Sequence, residues 1–150
     1  MDMVDISFHT GVDDRTTYAC RLLRKAARQS TRVLVCADEH TLDVLDKALW
    51  TFDPQDFVAH VRWRAGQVLA THLTRTPLWL VADRDVNALP GEPFQVMVRL
   101  GVVSTIEVRA VDRVIELVGL DDDERRSARL RWRAYEASGV SVQHHPATAR

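Results

Sequence analysis

Hydrophobic residues recur with two different spacings along the first part of the chain. One spacing is typical of strands and the other of helices. Residues 4–8 alternate with period two, which predicts a strand with one face on a core. Apolar residues spaced as i, i+3, i+4 and i+7 then predict a helix that begins after Asp13 or Asp14 and ends near Gln29. The continuous apolar run at 33–36 is typical of a strand buried on both faces of a parallel sheet.

Later apolar runs predict the rest of the sheet. They are residues 78–82, 95–100 and 113–118. Before them, Thr41 is the predicted cap of a second helix, which ends near Trp50 because Pro54 follows. A short helix is also predicted over residues 105–111.

The final predicted helix has well-marked ends. Acidic residues from Asp121 to Glu124 lie where the helix dipole is positive, and Gly139 follows Ser138 at the other end. Residues 143–150 are polar, and we expect them to form a flexible tail.

This order of elements predicts one α/β domain over residues 1–142. We expect a mostly parallel sheet of four to five strands flanked by helices in three layers, a Rossmann-like architecture. No two glycines stand at the spacing of a dinucleotide-binding or P-loop motif. The fold is therefore predicted to lack a nucleotide site, and no cofactor is expected.

The amino-acid composition argues against several classes of protein. The chain has 150 residues and a formal net charge of -1, so no overall field draws it onto nucleic acid or an anionic membrane. Its 2 cysteines are too few for a disulfide scaffold. No apolar run approaches the roughly 18 residues of a membrane span, and no signal peptide is recognisable. These features predict a cytoplasmic protein.

One segment brings catalytic residue types together. Cys36, Asp38 and His40 follow the carboxyl end of a predicted strand, where α/β proteins bind ligands. A small hydrolase or phosphotransfer enzyme is one alternative function, although adjacent residues point in different directions and Cys36 also suits a core. His144 and His145 fall short of the ligands of a closed zinc site, so no metal is expected.

Two aromatic segments are candidates for contacts with other molecules. In Arg62-Trp63-Arg64 an indole lies between two cations, a combination that binds single-stranded nucleic acid. The competing interpretation is an exposed loop, or a ring packed on the edge of the domain. Trp50 and Phe57 suit either an anchor for a partner or closure of the core.

The final predicted helix carries a cationic face. Arg125, Arg129, Trp132, Arg133 and Glu136 fall at i, i+4, i+7, i+8 and i+11, which is one side of a helix. Guanidinium forks suit carboxylates and the indole adds apolar area, so this face suits a short acidic peptide that ends in a hydrophobic side chain. The same spacing also fits a solvated face whose arginines and glutamate pair with one another.

In these segments the sequence resembles the chi subunit of bacterial DNA polymerase III, a small accessory protein of the clamp-loader assembly. The similarity keeps its order over most of the chain. It is carried by Arg32-Val33-Leu34-Val35-Cys36, Leu45-Asp46-Lys47-Ala48-Leu49-Trp50, Phe57-Val58-Ala59-His60, and Arg131-Trp132-Arg133-Ala134-Tyr135 with Gly139. The resemblance implies a non-catalytic protein without a cofactor or a small-molecule substrate.

The resemblance also implies two protein partners on two surfaces. One surface holds the psi subunit of the clamp loader and would include Trp50 and Phe57. The other holds the acidic C-terminal tail of single-stranded DNA-binding protein, and would consist of Val118, Arg125, Arg129, Trp132 and Arg133. On this hypothesis the protein is a replisome adaptor that meets DNA only indirectly and has no membrane partner.

Overall fold

Strands and helices follow one another along the chain in the order that the hydrophobic pattern predicts, apart from two edge strands that it does not predict. The computed structural model describes residues 4–90, 94–101 and 111–147. The helices in these ranges are α1 (Arg15–Arg28), α2 (Glu39–Thr51) and α3 (Asp122–Ala137). The strands are β1 (Asp5–Val12), β2 (Val33–Ala37), β3 (His60–Trp63), β4 (Leu78–Ala82), β5 (Val96–Leu100), β6 (Arg113–Gly119) and β7 (Val142–Pro146). Short 3₁₀ turns span Thr71–Arg75 and Asp83–Ala88.

The strands form one sheet of 7 strands in the order β3-β4-β2-β5-β6-β1-β7. All neighbouring pairs in it are parallel. Every residue of β2 and β4 is buried, which explains why these strands are continuous apolar runs. The α/β class is therefore confirmed, and the sheet is wider than the four to five strands expected.

Helices cover both faces of the sheet, which makes three layers. On one face α1 and α2 pack Leu23 and Leu45 against strand residues such as Val35. On the other face α3 packs Tyr135 among residues such as Leu34. Successive strand residues point to opposite faces, so β2 supplies both cores.

Each helix begins at an aspartate. Asp14, Asp38 and Asp121 each accept a hydrogen bond from the backbone N–H three residues ahead, at 3.1, 3.1 and 3.2 Å. Asp14 confirms one of the two predicted caps, whereas the prediction of Thr41 was wrong because α2 already begins at Glu39. Each helix follows a strand, so the three carboxylates lie at the carboxyl edge of the sheet. There they accept hydrogen bonds from backbone N–H groups that could otherwise bind a phosphate.

The hydrophobic pattern does not predict the two edge strands. β3 forms where the sequence suggested a loop. β7 lies largely in the expected tail, 143–150, yet it pairs with β1 from Ile6 opposite Val142 to Thr10 opposite Pro146. An edge strand needs a hydrogen-bonded neighbour on one side only, and its exposed side chains can be polar. The sheet therefore includes residues beyond 142. The helix predicted over 105–111 falls almost wholly outside the described residues.

Candidate functional site

Helix α3 is held on the sheet by a cluster of buried polar side chains. Arg131 donates from Nε to both carboxylate oxygens of Glu116, at 2.9 Å each. The Tyr135 hydroxyl donates to the same carboxylate at 2.7 Å and accepts from Arg99 at 2.9 Å. Burial, and then the charge of Glu116, raises the pKa of Tyr135, so the phenol stays protonated and remains a donor. The cluster fixes which side of α3 faces the sheet.

The sequence contains a signal for this cluster that hydrophobic patterning misses. Arg99 and Glu116 each interrupt an apolar, buried run within their strand, and they lie opposite each other in the pairing of β5 with β6. Two opposite charges in neighbouring buried strands indicate a buried ion pair, because a lone buried charge is unfavourable. The partner on the helix, Arg131, has no comparable signal among its many neighbouring arginines.

An open groove of about 640 Å³ lies between α3 and the strands β1, β6 and β7. We call it the α3 groove. Its lining residues are Phe8, Thr10, Gly11, Val118, Gly119, Arg125, Ala128, Arg129, Trp132, Arg133, Glu136 and His144. All five residues that the sequence suggested for an acidic-tail site are among them, so the structure brings this set together.

The base of the α3 groove is apolar. Trp132 is half-buried and packs on Phe8, with 4.9 Å between ring centroids. Val118 is buried beside it at the carboxyl end of β6. The β1 residues of the groove lie far from α3 in sequence, so no local spacing predicts them.

The rim of the α3 groove is cationic. Arg125, Arg129 and Arg133 are exposed. Arg125 lies 3.9 Å from Asp122, a loose contact in water. Within the described parts of the chain, Arg129 and Arg133 make no hydrogen bond or ion pair. The described contacts therefore do not show the alternative, a solvated face whose arginines and glutamate pair with one another. The guanidinium groups of Arg129 and Arg133 are available to an external carboxylate.

A second exposed surface lies at the other side of the sheet. Trp50 and Phe57 are 55% and 67% exposed, and their ring centroids are 5.3 Å apart. We call these two residues the aromatic pair. Trp50 also packs on His60 at 4.8 Å, and His60 is held by Asp46 at 2.7 Å and by the Val58 carbonyl at 2.8 Å. The pair does not close the core, because both rings remain largely in solvent.

The candidate catalytic residues do not converge. Cys36 is fully buried in the core beneath α3. Asp38 caps α2, and its carboxylate accepts two hydrogen bonds from Thr41. His40 is exposed on α2. A nucleophile needs a base within hydrogen-bond reach, so the enzymatic alternative is wrong for this segment.

The Arg62-Trp63-Arg64 segment is not an open nucleic-acid surface. Trp63 is buried and donates its indole N–H to the Gln67 carbonyl at 3.0 Å. Arg62 is paired with Glu39 and Asp43, both at 2.6 Å. The interpretation of a ring packed on the domain edge is confirmed, and that of an exposed loop is wrong.

The edge of the sheet where α/β proteins bind nucleotides is filled by this chain's own side chains. Arg15 forms an ion pair with Glu124, whose carboxylate also accepts the backbone N–H of Gly119 at 2.9 Å. A Cβ at Gly101 would lie only 2.7 Å from the Asp38 carboxylate, and Gly101 has a φ of +79°. Glycine is needed here for close packing against that carboxylate rather than for contact with a phosphate.

The two tail histidines lie on opposite faces of β7. The His144 ring faces Trp132 at 6.0 Å, whereas the His145 ring lies 5.3 Å from His9. In the described ranges no three His, Cys, Asp or Glu side chains are grouped so as to hold a metal ion. Nor is any helix there long and apolar enough to cross a bilayer.

A parallel α/β sheet flanked by helices, with its nucleotide edge filled and a cationic groove open beside it, places the described structure in the class of Rossmann-like α/β domains. Residues 3–143 match the family model described as DNA polymerase III chi subunit, HolC. The DNA polymerase III subunit chi of Pseudomonas aeruginosa is 33% identical over 132 residues, which cover 87% of this chain and 85% of the relative. The chain belongs to the DNA polymerase III chi subunit family, whose members are non-catalytic accessory subunits in DNA replication.

Proposed function

We propose that the protein is an adaptor whose α3 groove binds the acidic C-terminal tail of single-stranded DNA-binding protein. The observation that carries this proposal is the rim of the groove, where Arg129 and Arg133 are exposed and lack a partner in the described residues. Such a tail is rich in aspartate and ends in phenylalanine with a free carboxylate. An apolar base with unpaired guanidinium groups above it matches both features.

Each element of the groove has a distinct part in this proposal. Arg129 lies in the middle of the cationic face and receives the terminal carboxylate in a bidentate contact. Trp132 and Val118 enclose the terminal phenyl ring. Arg125 and Arg133 lie one turn to either side along α3 and face the aspartates of the tail.

A disordered tail loses conformational freedom on binding, so the affinity is expected to be modest. A dissociation constant in the micromolar range corresponds to about -8 kcal/mol. Much of the attraction is between exposed charges, so added salt should weaken it.

The test is a fluorescence anisotropy titration with a labelled, aspartate-rich peptide that ends in phenylalanine. Arg129→Glu should weaken binding at least tenfold without unfolding the protein. Arg126→Glu is the matched control, because Arg126 is on the same helix but is not among the groove residues. Equal binding by the Arg129 variant and the wild type would reject the proposed site, as would equal losses in the two variants.

We further propose that the aromatic pair holds the psi subunit of the clamp loader. Two large exposed rings in contact, supported from below by His60, resemble the anchor of a protein interface. β3, next to the aromatic pair, and β1, below the α3 groove, are five strand spacings apart, roughly 24 Å. This separation leaves room for both partners at once, so that the protein links the clamp loader to protein-coated DNA in the cytoplasm without touching DNA itself.

The psi surface is tested separately from the groove. Trp50→Ala with Phe57→Ala should abolish co-purification with psi and leave peptide binding intact. Val68→Ala serves as the control, because Val68 is an apolar residue that is 93% exposed elsewhere on the surface. Retention of psi by the double variant would overturn this assignment.

A further inference from the structure

The α3 groove has a second wall, which comes from strand β7. His144 lines the groove opposite the cationic face of α3. The family match ends at residue 143, so this wall residue lies just outside the matched segment. His144 is therefore a feature of this chain that the family comparison does not assign.

The His144 ring is held in position although it is exposed. Its Nε2 lies 2.6 Å from the Thr10 hydroxyl, and its ring stands at 88° to the Trp132 ring. A hydroxyl can donate or accept, so the contact with Thr10 survives protonation of the imidazole. Within the described residues Nδ1 makes no hydrogen bond, which leaves it free to donate to an occupant when the ring is charged.

We infer that His144 contacts the acidic occupant of the α3 groove and makes its binding tighten as the pH falls from 8 to 6. The inference rests on the proposed tail binding. The aspartates and the terminal carboxylate of such a peptide stay ionised across this range, and arginines stay charged. Histidine is the side chain that ordinarily changes its charge there.

The charges around His144 fix the direction of the effect. From α3, Arg125, Arg129 and Arg133 face the groove and make its empty rim positive. Glu136, also from α3, partly offsets them, whereas the groove residues of β1 are the uncharged Phe8, Thr10 and Gly11. An acidic peptide reverses this balance, so peptide binding and proton uptake favour each other.

His145 provides a matched control on the same strand. It lies on the opposite face of β7, next to His9 and away from the groove. Burial, followed by the charges of His145 and Arg113, lowers the pKa of His9, which favours a neutral ring there. A substitution at His145 therefore removes an imidazole from β7 without changing the groove.

The experiment measures binding of the same phenylalanine-terminated acidic peptide at pH 8 and pH 6, with a label whose fluorescence does not depend on pH. The wild-type affinity should rise about threefold at the lower pH, the size expected for one exposed ion pair. His144→Gln should lose this rise and His145→Gln should keep it. His144→Arg should bind at the higher affinity at both pH values.

Calorimetry in two buffers of different ionisation enthalpy gives a second measure, the number of protons taken up with the peptide. Uptake by the wild type and its loss in His144→Gln support the inference. Equal pH dependence in the wild type and His144→Gln overturns the inference, and Arg129-dependent binding would still support the proposed function. A wild type that binds no peptide at either pH overturns both.

Discussion

The tripeptide Arg-Trp-Arg occurs twice in this chain, at 62–64 and at 131–133, and its two copies have opposite fates. In the strand copy the indole is buried, and Arg62 is neutralised by two acids of α2. In the helix copy Arg131 is buried, Trp132 forms the base of an open groove and Arg133 is exposed. The same three side chains make a closed edge in one place and a candidate binding site in the other.

The periods of the two elements explain the difference. In a strand, alternate residues point to opposite faces, so Arg62 and Arg64 share the face of α2 and its Glu39, while Trp63 enters the core beneath α3. In a helix, successive residues are about 100° apart, so the three side chains point in three directions. A tripeptide rich in cations therefore indicates a binding site only once its secondary structure is known.

The largest expected effect on stability and binding is the difference between substitutions of the two indoles, Trp63 and Trp132. Trp63→Ala should lower the free energy of unfolding by about 4 kcal/mol, because it empties a buried site. Trp132→Ala should cost about half as much, since this ring is half-exposed, yet it should abolish binding of the acidic peptide. Urea denaturation and peptide titration of both variants measure the two quantities. Comparable peptide affinities in the two variants would contradict the contrast.

The next effect concerns Glu116, which holds Arg131 of the helix copy in the buried cluster. Glu116→Gln removes the carboxylate that Arg131 and Tyr135 share, and it should lower the free energy of unfolding by about 3 kcal/mol, because it leaves buried guanidinium charge uncompensated. Urea denaturation measures the loss. Glu136→Gln, an exposed change on the groove side of α3, is the control and should be near neutral. Equal stability of the two variants would show that the buried cluster does not hold α3.

Much of the fold could be predicted from local pattern. The apolar runs of β2 and β4, the Asp14 cap of α1, and the acidic first turn and Gly139 end of α3 are local features, and the structure confirms them. β7 could not be predicted, because its polar side chains leave no apolar alternation to recognise. In β3, Val61 and Trp63 do alternate with polar residues, but the run of four residues is too short to tell a strand from a loop.

The residues of the α3 groove likewise fall into those that local spacing predicts and those that it does not. The α3 residues of the groove share one helical face, so spacing alone brings them together. Phe8 and His144 could not be found by spacing, because they reach the groove through the pairing of β1 with β7. Such long-range pairing depends on the whole sheet rather than on any short segment.

A smaller effect is expected at Asp38, which caps α2. This helix carries the two acids that pair with Arg62 of the strand copy. Burial alone would favour the neutral form of Asp38, but hydrogen bonds from Thr41 and the charge of Arg15 hold its pKa below the ordinary 3.8. A lowered pKa stabilises the fold above that value, and this stability is lost as the pH falls through the folded-state pKa.

Asp38→Ala should therefore lower the free energy of unfolding by about 1 kcal/mol at neutral pH, with a smaller difference in strong acid. Asp38→Asn keeps the cap without its titration, and it should show a flatter acid limb in a series of urea melts. An acid limb that is identical in the wild type and Asp38→Asn would contradict this account.

The smallest effect is expected at the ion pairs of the strand copy. Arg62→Gln should cost about 0.5 kcal/mol, because its partner Asp43 is exposed and the pairs are screened by solvent. It should leave peptide affinity unchanged, whereas Arg133→Gln should weaken binding with no loss of stability. A loss of peptide binding in the Arg62 variant would mean that both copies of the tripeptide meet the peptide.

Backbone amide shift mapping by NMR tests the central claim most directly. The ¹⁵N-labelled protein is titrated with the acidic, phenylalanine-terminated peptide, and with the same peptide lacking its last residue. We expect the shifts to concentrate on Val118, Arg129, Trp132 and their neighbours in the α3 groove, and we expect the shortened peptide to give weak shifts or none. Shifts centred on Arg62 and Trp63, or equal shifts with both peptides, would contradict that claim.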